Sequence, residues 1–544
     1  MTEPQAPLSK FQTRLPLILA LTLAVGLFIG QQLPRYGTNI RYVPSGQTGP
    51  VAGTLDEILR YIEARYVDTV GADELKVGAI EHLLEQLDPH SVYITPDELS
   101  AVEDDMSGGF EGVGIEFLMV DDTIQVVTPL SGGPSETAGI LPGDKIVTIN
   151  DTVVAGVKID NGKIYKKLRG PKGSSVRLGI LRGREQSLRA FTIVRDVIPV
   201  KSVDIAYMLD DKTGYVKINR FSARTNQEFT EALMPLSEKG MQNLVLDLRG
   251  NPGGYLEEAT DLLSQFFPDG RLLVYTEGRA EKRREYKSKG RTKFNIVHVA
   301  VLIDEGSASA SEIVAGAVQD WDRGWVVGRR SFGKGLVQEQ YSLGDGGALR
   351  LTVARYFTPS GRCIQRDYKH TLDYDFEAER RYENGELADS SKIRFADSTK
   401  YYTGMGRVVY GGGGITPDIF IPIDTSFSND YFYEVRQHVP QFASRWMEGH
   451  PRGALPSSLS AFMRSFVVSD DMLSDLVDYA EKQGVARNDA ALRRCRAELQ
   501  LQLKARIAKI LFHEEGLYSV LNDDDPAVEK ALQVLRSGEP VAKK

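Results

Sequence analysis

The sequence predicts a mixed α/β core that carries a strand-rich module upstream and helical elements at both ends. Three observations carry this. From 199 to 424 buried strand patterns alternate with helical ones, as in layered α/β structures. Before that, from Gly108 to about Ile198, five or more short strand patterns crowd together. After Asp424, apolar stripes recur at helical spacing. At 544 residues the chain exceeds one ordinary core and fits about three or four domains. Hydrophobic residues at 42% and charged residues at 26% are those of a globular protein. The net charge of −8 offers no basic footprint for nucleic acid, so protein, peptide or small-molecule partners are expected first.

Residues 1–34 read as a signal or membrane anchor. Lys10 and Arg14 precede the apolar run Leu15 to Ile29, and no A-x-A-like cleavage site follows it. An uncleaved anchor is preferred to a cleaved signal, with the first residues cytoplasmic and the bulk exported. Two cysteines, Cys363 and Cys495, exclude a disulfide framework and a thiolate metal site, though they could form one bridge. Residues 35–53 are rich in Gly and Pro, as a linker is.

From 54 to 106 the apolar residues Leu55, Ile58, Leu59 and Ile62, then Leu75, Ile80, Leu83, Leu84 and Leu87, fall at helical spacing. Asp88-Pro89-His90-Ser91 sets an acid near a histidine but reads as a helix-ending turn without chemistry. The module 107–198 combines its strands with two short helices, near Ser135–Ala138 and Asp160–Leu168, and with Gly112-Val113-Gly114-Ile115, Ala138-Gly139-Ile140 and Pro142-Gly143-Asp144. In these features it resembles a PDZ domain. The resemblance implies capture of a peptide C-terminus by strand addition, its carboxylate received by the amides of Val113, Gly114 and Ile115. Arg169 ends the second helix, where it either senses that carboxylate or favours the helix C-terminus.

In the core 199–424, Tyr215–Ile218, Asn243–Leu248 and His298–Ile303 read as strands, and Thr225–Leu236 and Tyr255–Phe266 as helices. Asp247-Leu248-Arg249-Gly250-Asn251-Pro252-Gly253-Gly254 joins strand to helix, and its glycines let amides turn toward a cleft as part of an oxyanion hole. The stretch Glu305 to Gln338 follows the third strand. Ser309-x-x-Glu312 matches a capping box, yet a serine at this corner, with the Ala310 amide beside it, also suits a nucleophile. Trp325–Gly328 gives a short strand, and Ser331-Phe332-Gly333-Lys334-Gly335 a glycine-lined turn. A lysine has to lose its charge to act as a base, down from about 10.4, and burial among glycines and apolar groups does this. Gln338 lies four residues beyond Lys334, too far along an extended strand for contact unless the lysine folds back or Gly335 bulges.

SASASEI, FGKGLVQ, DLRGNPGG, Tyr356 to Arg362 and Gly414-Ile415-Thr416-Pro417-Asp418 together resemble the carboxyl-terminal processing peptidases, or tail-specific proteases, from about residue 54 to 424. The resemblance implies a strand-helix spiral related to the crotonase-like architecture, interrupted by the PDZ domain. It implies a serine 25 residues before the lysine (334 − 309 = 25), which selects Ser309 over Ser307 and Ser311, with Lys334 as base and Gln338 as third residue. The oxyanion hole would join the amide of Ala310 to Gly253 or Gly254. Acyl transfer of this kind uses no metal or organic cofactor, and its substrates are proteins or peptides with free C-termini.

Gly328-x-x-x-x-Gly333-Lys334 approaches a phosphate-binding loop, but Gly335 stands where Ser or Thr is needed and a strand pattern follows. The seven histidines match neither a serine triad nor a zinc motif. The rival class is a catalytically silent, PDZ-containing peptide-binding scaffold of the cell envelope. Residues 365–403 read as a polar surface excursion, and 425–544 as a helical extension. Its stripes, among them Leu473, Leu476, Cys495, Leu499, Leu503, Val528 and Leu535, suit a core, and a homo-oligomer through the same helices is the further expectation.

Overall fold

The computed structural model describes residues 53–538, apart from 131, 184, 186, 291–292, 369–373, 375, 395–396 and 451. The expected anchor at 1–34 lies outside these residues, as does all but the last residue of the linker. Among the described residues no helix is long and apolar enough to cross a membrane. The chain divides into two compact units, 1–76 and 77–544. The first holds the helix Thr54–Arg65 and the start of the helix Ala72–Glu85.

In the second unit a six-stranded sheet forms the centre, in the order Val203–Met208, Thr213–Ile218, Asn243–Asp247, His298–Ile303, Trp325–Gly328, Ile419–Phe420. The first pair is antiparallel and the rest are parallel. Both faces are covered, which is why these strands read as continuous apolar runs. On one face Val216, Leu244, Leu246, Val299 and Val301 pack with Phe229, Leu233, Leu262, Ile313 and Val314 of three helices. On the other, Tyr215, Val245, Ala300, Leu302 and Val327 pack with Ala527, Val528, Ala531 and Leu535 of the last helix, Pro526–Ser537.

That last helix therefore completes the core sheet, although in sequence it belongs to the extension. The remaining stripes build a separate helical core that includes Leu473, Leu476, Cys495, Leu499, Leu503 and Ile507. The stripes are buried within the chain, as expected of a core. Cys363 and Cys495 are free thiols, not a bridge.

A second, antiparallel sheet joins Val92–Ile94, Ala348–Phe357, Leu272–Glu277 and Arg284–Lys287, with Leu336–Ser342 also paired to Ala348–Phe357. The PDZ module is a six-stranded sheet with helices Pro134–Thr137 and Asn161–Leu168. Its entry and exit strands, Gly109–Gly112 and Asp196–Pro199, pair with each other, so the module is inserted on a two-stranded stalk.

The region 365–403 is more than a surface excursion. Arg381 (2% exposed) donates to the carbonyls of Arg330 and Ser331 at 3.1 and 2.9 Å. Glu386 pairs with Arg330 at 2.7 and 2.8 Å. Charges this deeply buried persist only when paired, and here they brace the segment leading to Lys334.

Candidate active site

Two loops leave the carboxyl ends of neighbouring parallel strands, one after Asp247 and the other after Ile303, and they are stitched together. The Gly250 amide donates to Asp304 Oδ1 at 2.7 Å, and the Ala308 amide to the Asn251 carbonyl at 2.9 Å. Ser307 Oγ donates to the Leu248 carbonyl at 2.8 Å, and Ser311 Oγ to the Asn251 carbonyl at 3.0 Å. Both flanking serines are fully buried and structurally engaged, while Ser309 between them is only partly buried. Geometry thus separates the three serines without reference to their spacing from the lysine.

Ser309 has φ 53° and ψ −114°, a conformation few non-glycine residues adopt, immediately before the helix Ala310–Asp320. Such strain at a strand-to-helix corner exposes a hydroxyl above a sheet. Glu312 uses the capping signature: its Oε2 accepts the Ser309 amide at 2.9 Å, and its own amide donates to the Ser309 carbonyl at 2.9 Å. Tyr356 Oη holds the Ser309 carbonyl from the other side at 3.1 Å.

Gly253 backs directly onto this corner. A Cβ there would stand 2.7 Å from the Ala308 oxygen and 2.8 Å from the Ala310 nitrogen, and φ is +98°. No other residue fits. The Gly253 amide is engaged by Asn251 Oδ1 at 2.8 Å, whereas among the described residues no hydrogen bond occupies the amides of Gly254 or Ala310. Of the two glycines, Gly254 is the one with a donor to offer.

Lys334 reaches the corner through Glu312. The Glu312 carboxylate is fully buried and accepts four bonds, from Ser331 Oγ (2.5 Å) and from the amides of Gly333 (2.7 Å), Lys334 (2.9 Å) and Ser309 (2.9 Å). Its pKa is raised by burial, even against those bonds. One side chain thereby fixes the backbones of both serine and lysine. Burial and the Arg350 charge hold the Lys334 amine below its ordinary value, with Glu312 and Asp88 opposing. Among the described residues no hydrogen bond joins Ser309 Oγ to Lys334 Nζ, or Lys334 Nζ to Gln338. The pairing of Leu336–Ser342 shifts register between Val337 and Gln338, where Val353 of the facing strand is left unpaired, and not at Gly335; Gln338 Nε2 donates to Thr352 Oγ1 at 3.5 Å.

Beneath the glycine loop, Asp247 accepts from Tyr215 Oη at 2.7 Å and pairs with Lys217 and Arg249. Burial opposes its ionisation, yet Arg249 and Lys217 hold it well below the usual carboxylate range. Arg249 also reaches Asp525, the N-cap of the last helix, at 2.7 Å.

In the PDZ module the Val113 carbonyl accepts from Ser135 Oγ at 2.6 Å, and Gly114 has φ +73°. The amides of Val113 and Gly114 carry no hydrogen bond among the described residues, and Ile115 begins the strand Ile115–Val120. Arg169 follows the helix Asn161–Leu168 and stacks on Phe110 of the stalk, 4.8 Å from the ring centre. Glu116, on that first strand, faces Lys509 and Arg506 of the helical region at 3.4 and 3.7 Å.

The chain is similar in sequence to known proteins. The chain is 34% identical over 366 residues to the carboxy-terminal processing protease CtpB of Bacillus subtilis, covering 64% of this chain and 75% of that protein. The chain belongs to the carboxy-terminal processing proteases. The profile of peptidase family S41 matches residues 212–377, that of the PDZ domain 112–190, and that of a family of unknown function 432–513. A probable CtpA-like serine protease of Staphylococcus aureus is 33% identical over 57% of this chain and 62% of its own length. The solved photosystem II D1 C-terminal processing protease is 30% identical, over 57% of this chain and 83% of that one, with a TM-score of 0.32. As a member of this family the protein is a serine-type peptidase with an inserted PDZ domain.

The sequence reading missed three groups of this carboxy-terminal processing protease. Glu312 was legible only as a cap, since nothing local reveals bonds to residues 331–334. Asp247 and Arg249 stood inside a recognised loop without a role. The Asp88 turn, dismissed as chemistry-free, is placed within electrostatic reach of Lys334.

Proposed function

We propose that the protein cleaves exported proteins near their free C-termini, with Ser309 as nucleophile and Lys334 as general base. The observation that carries this is the strained Ser309 corner tied through Glu312 to the Lys334 turn, with the two neighbouring serines engaged elsewhere. Neutral Lys334 takes the hydroxyl proton as Ser309 Oγ attacks the scissile carbonyl. The amides of Ala310 and Gly254 hold the oxyanion, beside the Gly253 backbone that forms the wall. Lys334 returns the proton to the leaving amine, and water, deprotonated by the same amine, releases the acyl group. Gln338 orients Lys334, which requires the glutamine to turn from Thr352 toward the amine.

The PDZ module takes the substrate tail. Val113 and Gly114 offer free amides to its carboxylate, Ile115–Val120 offers a strand to pair with, and Arg169 stands at the end of the opposing helix. The charged front and apolar run at residues 10–29 support a site outside the cytoplasm, anchored to the inner membrane of a bacterial envelope.

The test is turnover of a peptide with a free C-terminus against its C-terminal amide, in wild type and Ser309→Ala. Cleavage by wild type alone, weakened by the amide, is expected. Equal turnover by both proteins removes Ser309 from its role, and no turnover by either supports the silent scaffold.

A further inference from the structure

Residues 88–91 form a turn, and its location gives it a use. The strand that follows, Val92–Ile94, pairs antiparallel with Ala348–Phe357, with Val92 opposite Arg350. That strand also pairs with Leu336–Ser342, where Gln338 stands opposite Thr352. The turn is thus anchored beside the strand that supports Gln338.

Asp88 is 7% exposed and accepts four hydrogen bonds. Three come from its own turn: the amides of His90 (2.8 Å) and Ser91 (2.9 Å) and the Ser91 hydroxyl (2.7 Å). The fourth comes from Thr352 Oγ1 at 3.1 Å, and the Thr352 amide donates to Ser91 Oγ at 3.1 Å. The same Thr352 hydroxyl receives the Gln338 side-chain amide. A carboxylate that only closed a turn would stop at its own amides, whereas this one extends to the strand beneath the glutamine. His90 lies on the other side of the turn, its Nε2 2.7 Å from Tyr374 Oη, with Phe332 packed edge-on against the Tyr374 ring.

We propose that Asp88 and Thr352 are positioning residues for the lysine base: the Asp88–Thr352 bond fixes the hydroxyl that holds Gln338, and so sets where the glutamine swings to meet Lys334. The inference rests on the Ser309–Lys334 reading above. The charged and titratable groups facing Lys334 are Glu312 from the serine helix, Arg350 from the paired strand, and Asp88 and His90 from the turn. Asp88 raises the affinity of the Lys334 amine for its proton, opposing burial and Arg350. Asp88→Asn therefore has two separable effects: it weakens the anchor of Thr352, and it makes Lys334 easier to deprotonate. Thr352→Val has only the first.

The experiment is kcat/KM against pH for wild type, Asp88→Asn, Thr352→Val, Thr352→Ser and the double variant, with NMR titration of the Lys334 amine in 13C-lysine protein assigned by Lys334→Met. The plateau is expected to fall by up to about tenfold in each of Asp88→Asn and Thr352→Val, no further than in Gln338→Ala and short of the ~100-fold that a misplacement of about 1 Å can cost. Only Asp88→Asn moves the acid limb and the amine titration to lower pH. Thr352→Ser keeps the wild-type plateau, and the double variant is no worse than the weaker single one. Wild-type plateaus in both single variants, additive losses, or an unmoved amine titration in Asp88→Asn overturn the proposal. If wild type turns over no peptide, the peptidase reading falls, and the amine titration alone decides whether Asp88 acts on Lys334.

Discussion

The serine corner and the lysine turn both bond to Glu312 but are held differently. Around Ser309, the neighbouring hydroxyls, the Ser309 amide and its carbonyl all have buried partners, and the loop is locked to the glycine loop by direct bonds. Beyond Lys334 the strand pairing shifts register, Gln338 makes one long bond of 3.5 Å, and the lysine amine is turned to no hydrogen-bond acceptor among the described residues. In the proposed mechanism, the Ser309 nucleophile and the Ala310 and Gly254 donors are preorganised, while the Lys334 base is placed by its backbone and left to complete its contacts with substrate bound. Apo geometry of this kind is common where catalytic bonds tighten in the Michaelis complex.

The comparison can be broken first at the nucleophile. Ser309→Ala and Lys334→Met are each expected to lower kcat/KM by at least about 10³-fold with little change in Tm, measured on a tailed peptide. Next comes the tie between the two regions. Glu312→Gln turns an amide NH2 toward donors that now meet a carboxylate oxygen, which costs about 1–3 kcal/mol and should lower both activity and Tm in one variant. Gly253→Ala collides with the Ala308 and Ala310 backbone at 2.7 to 2.8 Å. It should cost activity by about 100-fold, because the corner cannot give way without moving Ser309. The smallest effect belongs to the loosely held side: Gln338→Ala should lower kcat by about tenfold or less and leave Tm unchanged. A Gln338→Ala loss as large as that of Lys334→Met would show that the base side is as preorganised as the serine.

The pH profile follows from the same contrast. Burial and Arg350 hold the Lys334 amine below its ordinary value of 10.5, and only the neutral amine accepts the serine proton. Activity therefore rises with pH through a limb set below that value. His90, brought down to about 4 by burial and by Lys334, is neutral over that range and does not add a second limb.

Much of this was legible in the sequence because it is local. The alternation of buried strands and helices, the glycine-rich corner after Asp247 and the helix after Ser309 each depend on residues a few positions apart, and they fold where their patterns place them. What escaped depends on distant partners. The stripe of Val528 and Leu535 carries no mark that its mate is the face of Val245 and Leu302. Arg381 and Glu386 look like surface charges until Arg330 and the carbonyls of 330 and 331 are set beside them. Asp88 looks like a turn residue until Thr352 arrives across the sheet. The register shift opposite Gln338 falls at Val353, with no glycine to announce it.

The account is tested most directly by the rate at which a fluorophosphonate modifies the protein as a function of pH, in wild type and Lys334→Met, with the labelled residue mapped by mass spectrometry. Modification confined to Ser309, accelerating with pH through a midpoint below 10.5 in wild type and slow with no such midpoint in Lys334→Met, is the result predicted. Modification at Ser307 or Ser311, or the same rate and midpoint in Lys334→Met, would contradict it.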